Sequence, residues 1–135
     1  MAAITINVSN VNASPAAQKF VGTALQAITS GQPVYADTLA GVSGYRPANS
    51  LLSNGIAGLA EGGATVNQQF LIVQKDPNFG LGGPINSGNL AIVGNVAGQI
   101  NDVADRATGW YLTALGVGIG GNRINFSMVG SNAAM

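Results

Sequence analysis

Near the end of the chain, Ile124, Phe126 and Met128 alternate with Asn125 and Ser127. A period of two with one apolar side predicts a half-buried strand over Asn122–Val129. The run Trp110–Val117 sets Tyr111, Thr113, Leu115 and Val117 on one side and Trp110, Leu112 and Ala114 on the other. Both sides are largely apolar, which predicts a central strand. Leu71-Ile72-Val73, inside a predicted strand Asn67–Lys75, has the same two-sided character. The remaining strand patterns are Ile4–Val8, Gln18–Ile28, Pro33–Tyr35, Gly55–Glu61 and Asn89–Val93. Short apolar runs punctuated by glycine, of which there are 20, are the pattern of a sandwich or barrel.

Two hairpins stand out. Ile56–Glu61 and Val66–Val73 flank Gly62-Gly63, and Trp110–Val117 and Arg123–Met128 flank Gly120-Gly121. Paired glycines supply the positive φ values that tight hairpin turns need. In Pro15–Ile28 a helix competes, with Ser14 as cap and Pro15 at the first helical position. Val21, Gly22 and Thr23 are poor helix formers, and the strand reading is favoured. A single helical turn is expected within Asn101–Thr108. Lys75–Gly88 holds Pro77, Pro84 and four glycines, which predicts a long surface loop. The closing Ser131-Asn132-Ala133-Ala134 has no pattern of its own and reads as unstructured. The expected architecture is all-β: a jelly-roll-like β-sandwich over residues 13–135, preceded by an extended N-terminal arm over residues 1–12.

Charge changes the picture more than hydropathy does. The chain has 135 residues, of which only 7% are charged, five basic and five acidic, with no histidine and no cysteine. Histidine and cysteine are the usual suppliers of titrating and nucleophilic groups near neutral pH and of tight metal ligands. Their absence points away from catalysis, from metal sites and from disulfides. Zero net charge argues against a duplex nucleic acid partner, which needs a basic face. The longest apolar candidate, Gly109–Ile119, is broken by Thr113, Gly116 and Gly118, whereas a spanning helix needs about 20 apolar residues. Met1–Val8 lacks the basic and apolar regions of a secretory signal. No membrane and no cofactor are expected. A neutral, charge-poor surface is prone to association, so much of it is expected to be covered by neighbours, in a homo-oligomer that is a dimer or a trimer.

Candidate chemistry is thin. Gly116-Val117-Gly118-Ile119-Gly120-Gly121 has the spacing of a dinucleotide loop, but that reading needs a helix next, and a strand pattern follows. Gly80-Leu81-Gly82-Gly83 lacks the Lys and Ser/Thr of a phosphate loop. Asp102 and Asp105 are three residues apart and read as turn caps with Arg106 beside them; Asp76, before Pro77, reads as a turn residue. Asn7-Val8-Ser9 and Asn12-Ala13-Ser14 match a glycosylation pattern, for which no secretory route is visible. Trp110, Tyr111, Tyr35, Phe70 and Phe126 read as core, whereas Tyr45 and Phe79 sit among Gly, Pro and Asn and read as exposed anchors. The expected partner contacts are Ile4, Ile6 and Val8 of the arm, Tyr45, and Phe79, Leu81 and Ile85 of the loop.

One stretch carries a family resemblance. Ala27-Ile28-Thr29-Ser30-Gly31-Gln32-Pro33-Val34-Tyr35 resembles the ITAGQPVY strand opening of small structural proteins of tailed bacteriophages. A polar turn, Tyr45-Arg46-Pro47-Ala48 and then Gly55-Ile56-Ala57-Gly58-Leu59-Ala60 follow in the same order. The segment Ala104–Val117 is similar to their ending, with a last strand after it. The likeness covers about residues 27–129; Lys75–Gly88 is longer and richer in Pro and Gly than the pattern. The resemblance is to the capsid cement, or decoration, proteins. It implies a non-enzymatic virion protein, made in the host cytoplasm, that sits on the capsid exterior and bridges neighbouring major capsid subunits. The alternative is a tail or fibre component, including a receptor-binding one.

Overall fold

The computed structural model describes residues 4, 6–39, 41–48, 56–85, 87–94, 98–103, 111–120 and 122–134. Its strands are β1 (Gln18–Thr23), β2 (Pro33–Leu39), β3 (Val42–Pro47), β4 (Ile56–Glu61), β5 (Gln69–Gly80), β6 (Leu90–Val93), β7 (Ile100–Asp102), β8 (Tyr111–Gly120) and β9 (Arg123–Ala134). A 3-10 turn spans Val8–Asn10. The chain is nearly all-β, and among the described residues there is no α-helix. The strands belong to one continuous antiparallel sheet that curls into a half-barrel, in the order β3-β2-β4-β5-β9-β8-β6-β7, with β1 on β5.

The long strand β5 organises the molecule. Val73 has Lys19 of β1 as one partner and Leu59 of β4 as the other, so the first half of β5 is flanked on both edges. Its second half turns to β9, with Phe79 opposite Ile124 and Gly80 opposite Arg123. Pro77 lies inside the register irregularity between Asp76 and Phe79. A bulge removes a ladder position, so the missing proline N–H costs no hydrogen bond there. This is how a strand replaces the first part of the loop expected over Lys75–Gly88.

Strands β1, β5, β4, β2 and β3 also form a ring. Four successive contacts are antiparallel, and the ring closes through a parallel bridge between Ala24 and Tyr45. Inside lies a small core of Ala24, Ile28, Val34, Ala60, Phe70 and Ile72 among others, with Phe20 and Tyr45 packed on it. The other curl encloses a larger core that includes Leu59, Val73, Phe79, Leu115, Ile124 and Phe126. The Phe79 and Phe126 rings pack with centroids 6.0 Å apart. Each such fully buried side chain contributes about 1.5–3 kcal/mol.

Several expectations meet a different structure. Ile4–Val8 forms no strand among its described residues; the Asn7 side chain accepts hydrogen bonds from Ser9 N and Oγ and bends the chain into the 3-10 turn. The first hairpin exists, but residues 62–68 form a wide connection in which Ala64 pairs with Ile28. The second is tight, Gly120 opposite Arg123, with Asn122 at φ 59°. The tail through Ala134 belongs to β9, and Ala134 pairs with Tyr111. Strands β3 and β7 have no clear sequence pattern; β7 takes up the start of the expected turn at Asn101. Trp110, Asp105 and Arg106 lie outside the described residues.

Candidate interaction surface

The segment Val11–Ala17, leading from the N-terminus into β1, is fastened by two carboxylates from different strands. Ala13 N donates to Glu61 Oε2 of β4 at 2.7 Å, and Ser14 N donates to Asp76 Oδ2 of β5 at 2.7 Å. The Ser14 hydroxyl donates to Asp76 Oδ1, which also accepts Asn78 N at 3.0 Å. Asn12 exchanges backbone hydrogen bonds with Gly80, and its side chain accepts from Arg123 Nη2 at 3.0 Å. Asp76 is fully buried, and its donors are what make that burial tolerable. Its place before Pro77 reads as a turn, and no local signal announces a partner so far up the chain.

Before this clasp the chain is held more lightly. Ile4 N donates to Ile100 O at 2.8 Å and Asn7 N to Gly82 O at 2.7 Å. Ile4 and Ile6 are partly buried against the larger core, while Val8 is 49% exposed. Tyr45 is half-buried, edge-on to Phe20 and Phe70 at 5.9 and 6.4 Å. Phe79 and Leu81 are fully buried and Ile85 nearly so, all three in the larger core. The loop side chains expected to face a partner thus pack within their own chain, because β5 continues past Pro77 and carries Phe79 inward.

Exposed apolar side chains lie elsewhere. Val21 of β1 and Leu71 of β5 are cross-strand partners and both exposed. Val117 and Ile119 of β8 are exposed, with Leu90 opposite Val117. Simple alternation puts Val117 on the side of Leu115, which is fully buried. The register irregularity between Ala114 and Gly116 reverses that alternation, so Gly116 and Gly118 face the core partners Phe126 and Ile124 while Val117 turns outward. A bulge of this kind depends on the partner strand and leaves no mark in the periodicity.

A cleft of about 380 Å³ separates β1 from the β2–β3 hairpin, lined by Val21, Gly22, Thr23, Ser43, Gly44 and others. On that hairpin Arg46 Nε sits 2.9 Å from Asp37 Oδ2, an ionic contact without hydrogen-bond alignment, and Arg46 Nη1 donates to Gln26 Oε1 at 3.0 Å. Glu61 also pairs with Lys19 at 3.0 Å. Asp102 accepts Asn89 Nδ2 at 2.8 Å. The described carboxylates therefore act as fasteners. Among the described residues no three His, Cys, Asp or Glu side chains gather as metal ligands, and no helix is long and apolar enough to cross a membrane. The G-x-G-x-x-G stretch runs along β8 into the hairpin, and β9 follows where a dinucleotide site needs a helix. Comparison with protein-family models, curated proteins and solved structures found no match.

Proposed function

We propose that this chain is a structural virion protein that cements or decorates a bacteriophage capsid shell by bridging neighbouring major capsid subunits. The observation that carries this reading is the pair of exposed apolar patches on different strands, Val21 with Leu71 and Val117 with Ile119. A bridging protein needs more than one contact surface, and many weak contacts add up on a repeating lattice. Each contact scales at about 25 cal/mol per Å² of apolar area buried, before the cost of association. The charge-poor composition and the family resemblance over residues 27–129 support the same reading.

The jelly-roll-like sandwich and the N-terminal arm belong to this proposal. What supports the first is that β4 and β5 carry apolar side chains on both faces, Leu59 and Val73 toward one core and Ala60 and Ile72 toward the other. What supports the second is the light hold on residues 4–10 before the clasp. Cryo-electron microscopy of particles carrying the tagged chain tests the function. The expected result is density on the head exterior in many copies; density confined to the tail favours a tail or fibre role, and absence from particles overturns both.

A further inference from the structure

The ring around the smaller core has an odd number of strands. Its first four contacts are antiparallel, so β1 and β3 are forced to run parallel where they meet, as the Ala24–Tyr45 bridge shows. Leu25 N donates to Tyr45 O at 3.0 Å beside that bridge. Away from it, β1 and β3 part around the 380 Å³ cleft.

The alternation of a ladder decides which backbone groups face this opening. Ala24 spends its N–H on Gln68 O and its C=O on Asn67 N, both on the β5 side. By the period of two, the N–H and C=O groups of Val21 point away from β5, toward the cleft, while the Thr23 carbonyl, on the same edge, lies against Gly44 at the seam itself. Tyr45 O already accepts across the seam, so the backbone groups of Ser43, two residues earlier, point toward it from β3. Two sheet edges thus present main-chain donors and acceptors to each other across a gap. One further strand, antiparallel to both, converts an odd ring with a parallel seam into an even ring that is antiparallel throughout.

We propose that this cleft accepts an extended strand, and that the strand is residues 4–8 of a second copy of the chain. Ile4, Ile6 and Val8 alternate with Thr5 and Asn7, a strand pattern that makes no strand on its own body among the described residues. Its hold there is the two backbone bonds from Ile4 and Asn7 and the partial burial of Ile4 and Ile6 against the larger core, which the exchange gives up. The clasp at Ala13 and Ser14 fixes the point up to which the segment can swing out while β1 stays in place. With residues 4–8 in the neighbour's cleft, residues 9–11 in extended form span about 10 Å between the two bodies, and Val11 leaves the edge of the larger core to do so. In the cleft the apolar set faces Tyr45, on the half-buried rim of the smaller core, and main-chain hydrogen bonds supply the affinity. A reciprocal exchange closes as a twofold dimer, and a head-to-tail one propagates into rings or chains of copies. The proposal concerns the isolated protein and stands apart from the particle reading.

The chain has no cysteine, so single cysteines report proximity cleanly. Full-length Val8→Cys and Ser43→Cys proteins are mixed and oxidised with glutathione. The expected product is the mixed disulfide dimer, well above its statistical share, and suppressed by an excess of a synthetic peptide of residues 1–10. Dimers in statistical proportions, or none, overturn the proposal. Ser43→Pro removes the cleft-facing N–H while sparing the ladder to β2. It is expected to melt with the parent and to lose concentration-dependent association in sedimentation; association that persists in a folded Ser43→Pro protein also overturns it.

Discussion

Asp76 receives both the backbone amide and the hydroxyl of Ser14, a residue 62 positions earlier in the chain. The carboxylate is buried under the segment it holds, so the entry of β1 and the middle of β5 are fixed by one side chain. Glu61 does the same for the neighbouring amide of Ala13. The fold is therefore closed at its N-terminal side by two acidic groups in a chain that has five in all.

Asp76→Ala leaves the amides of Ser14 and Asn78 without their acceptor in a partly buried site. The expected loss is about 2–4 kcal/mol, at the upper end of what unsatisfied groups and lost charged hydrogen bonds cost. Asp76→Asn keeps one acceptor oxygen and is expected to lose less than half of that. Urea unfolding of both variants checks the order; equal losses contradict the clasp.

Lys19 and Glu61 form one ion pair, but only Glu61 also holds a backbone amide. Lys19→Ala is expected to cost under about 1 kcal/mol, as exposed pairs do. Glu61→Ala is expected to cost clearly more, since Ala13 N loses its acceptor. Paired melting curves read the difference.

Phe79→Ala removes a fully buried ring from the contact with Phe126. A loss of about 3–5 kcal/mol is expected from the cavity and the lost transfer energy. An unchanged midpoint in urea contradicts the inward placement and returns Phe79 to the role of an exposed anchor.

A Cβ on Gly116 would overlap the carbonyl oxygen of Asn125, whereas one on Gly120 meets nothing within 4 Å. Gly116→Ala is expected to disrupt the β8–β9 pairing, at about 3 kcal/mol or more, in the range of severe single substitutions. Gly120→Ala has only its φ of +92° against it, a strain of about 1–2 kcal/mol. Amide hydrogen exchange along β9 distinguishes local unpairing from global destabilisation.

Val117→Lys places a charge on an exposed outer position of β8. Stability is expected to hold within about 0.5 kcal/mol, and the proposed cement role adds that attachment to capsids falls. A large drop in melting temperature instead assigns Val117 to the fold.

The amino-acid sequence by itself determined the local periods. Ile124 and Phe126 face inward and Asn125 and Ser127 outward because a strand alternates, and that alternation is written in neighbouring residues. The hairpin between β8 and β9 was legible from Gly120-Gly121, although the turn falls one residue later and sets Asn122 at φ 59°, and the two-sided burial of Ile72 and Val73 from their neighbouring apolar positions. What only the tertiary structure decided depends on partners far along the chain. Asp76 is a clasp because Ser14 arrives there, and Phe79 is core because the bulge at Pro77 lets β5 run on to meet Ile124. Val117 is exposed because an irregularity against β9 reverses its side, and the chain turns at Val8–Asn10 because the Asn7 side chain accepts from Ser9. A period of two says which side chains go together; only the pairing of strands says which side is in.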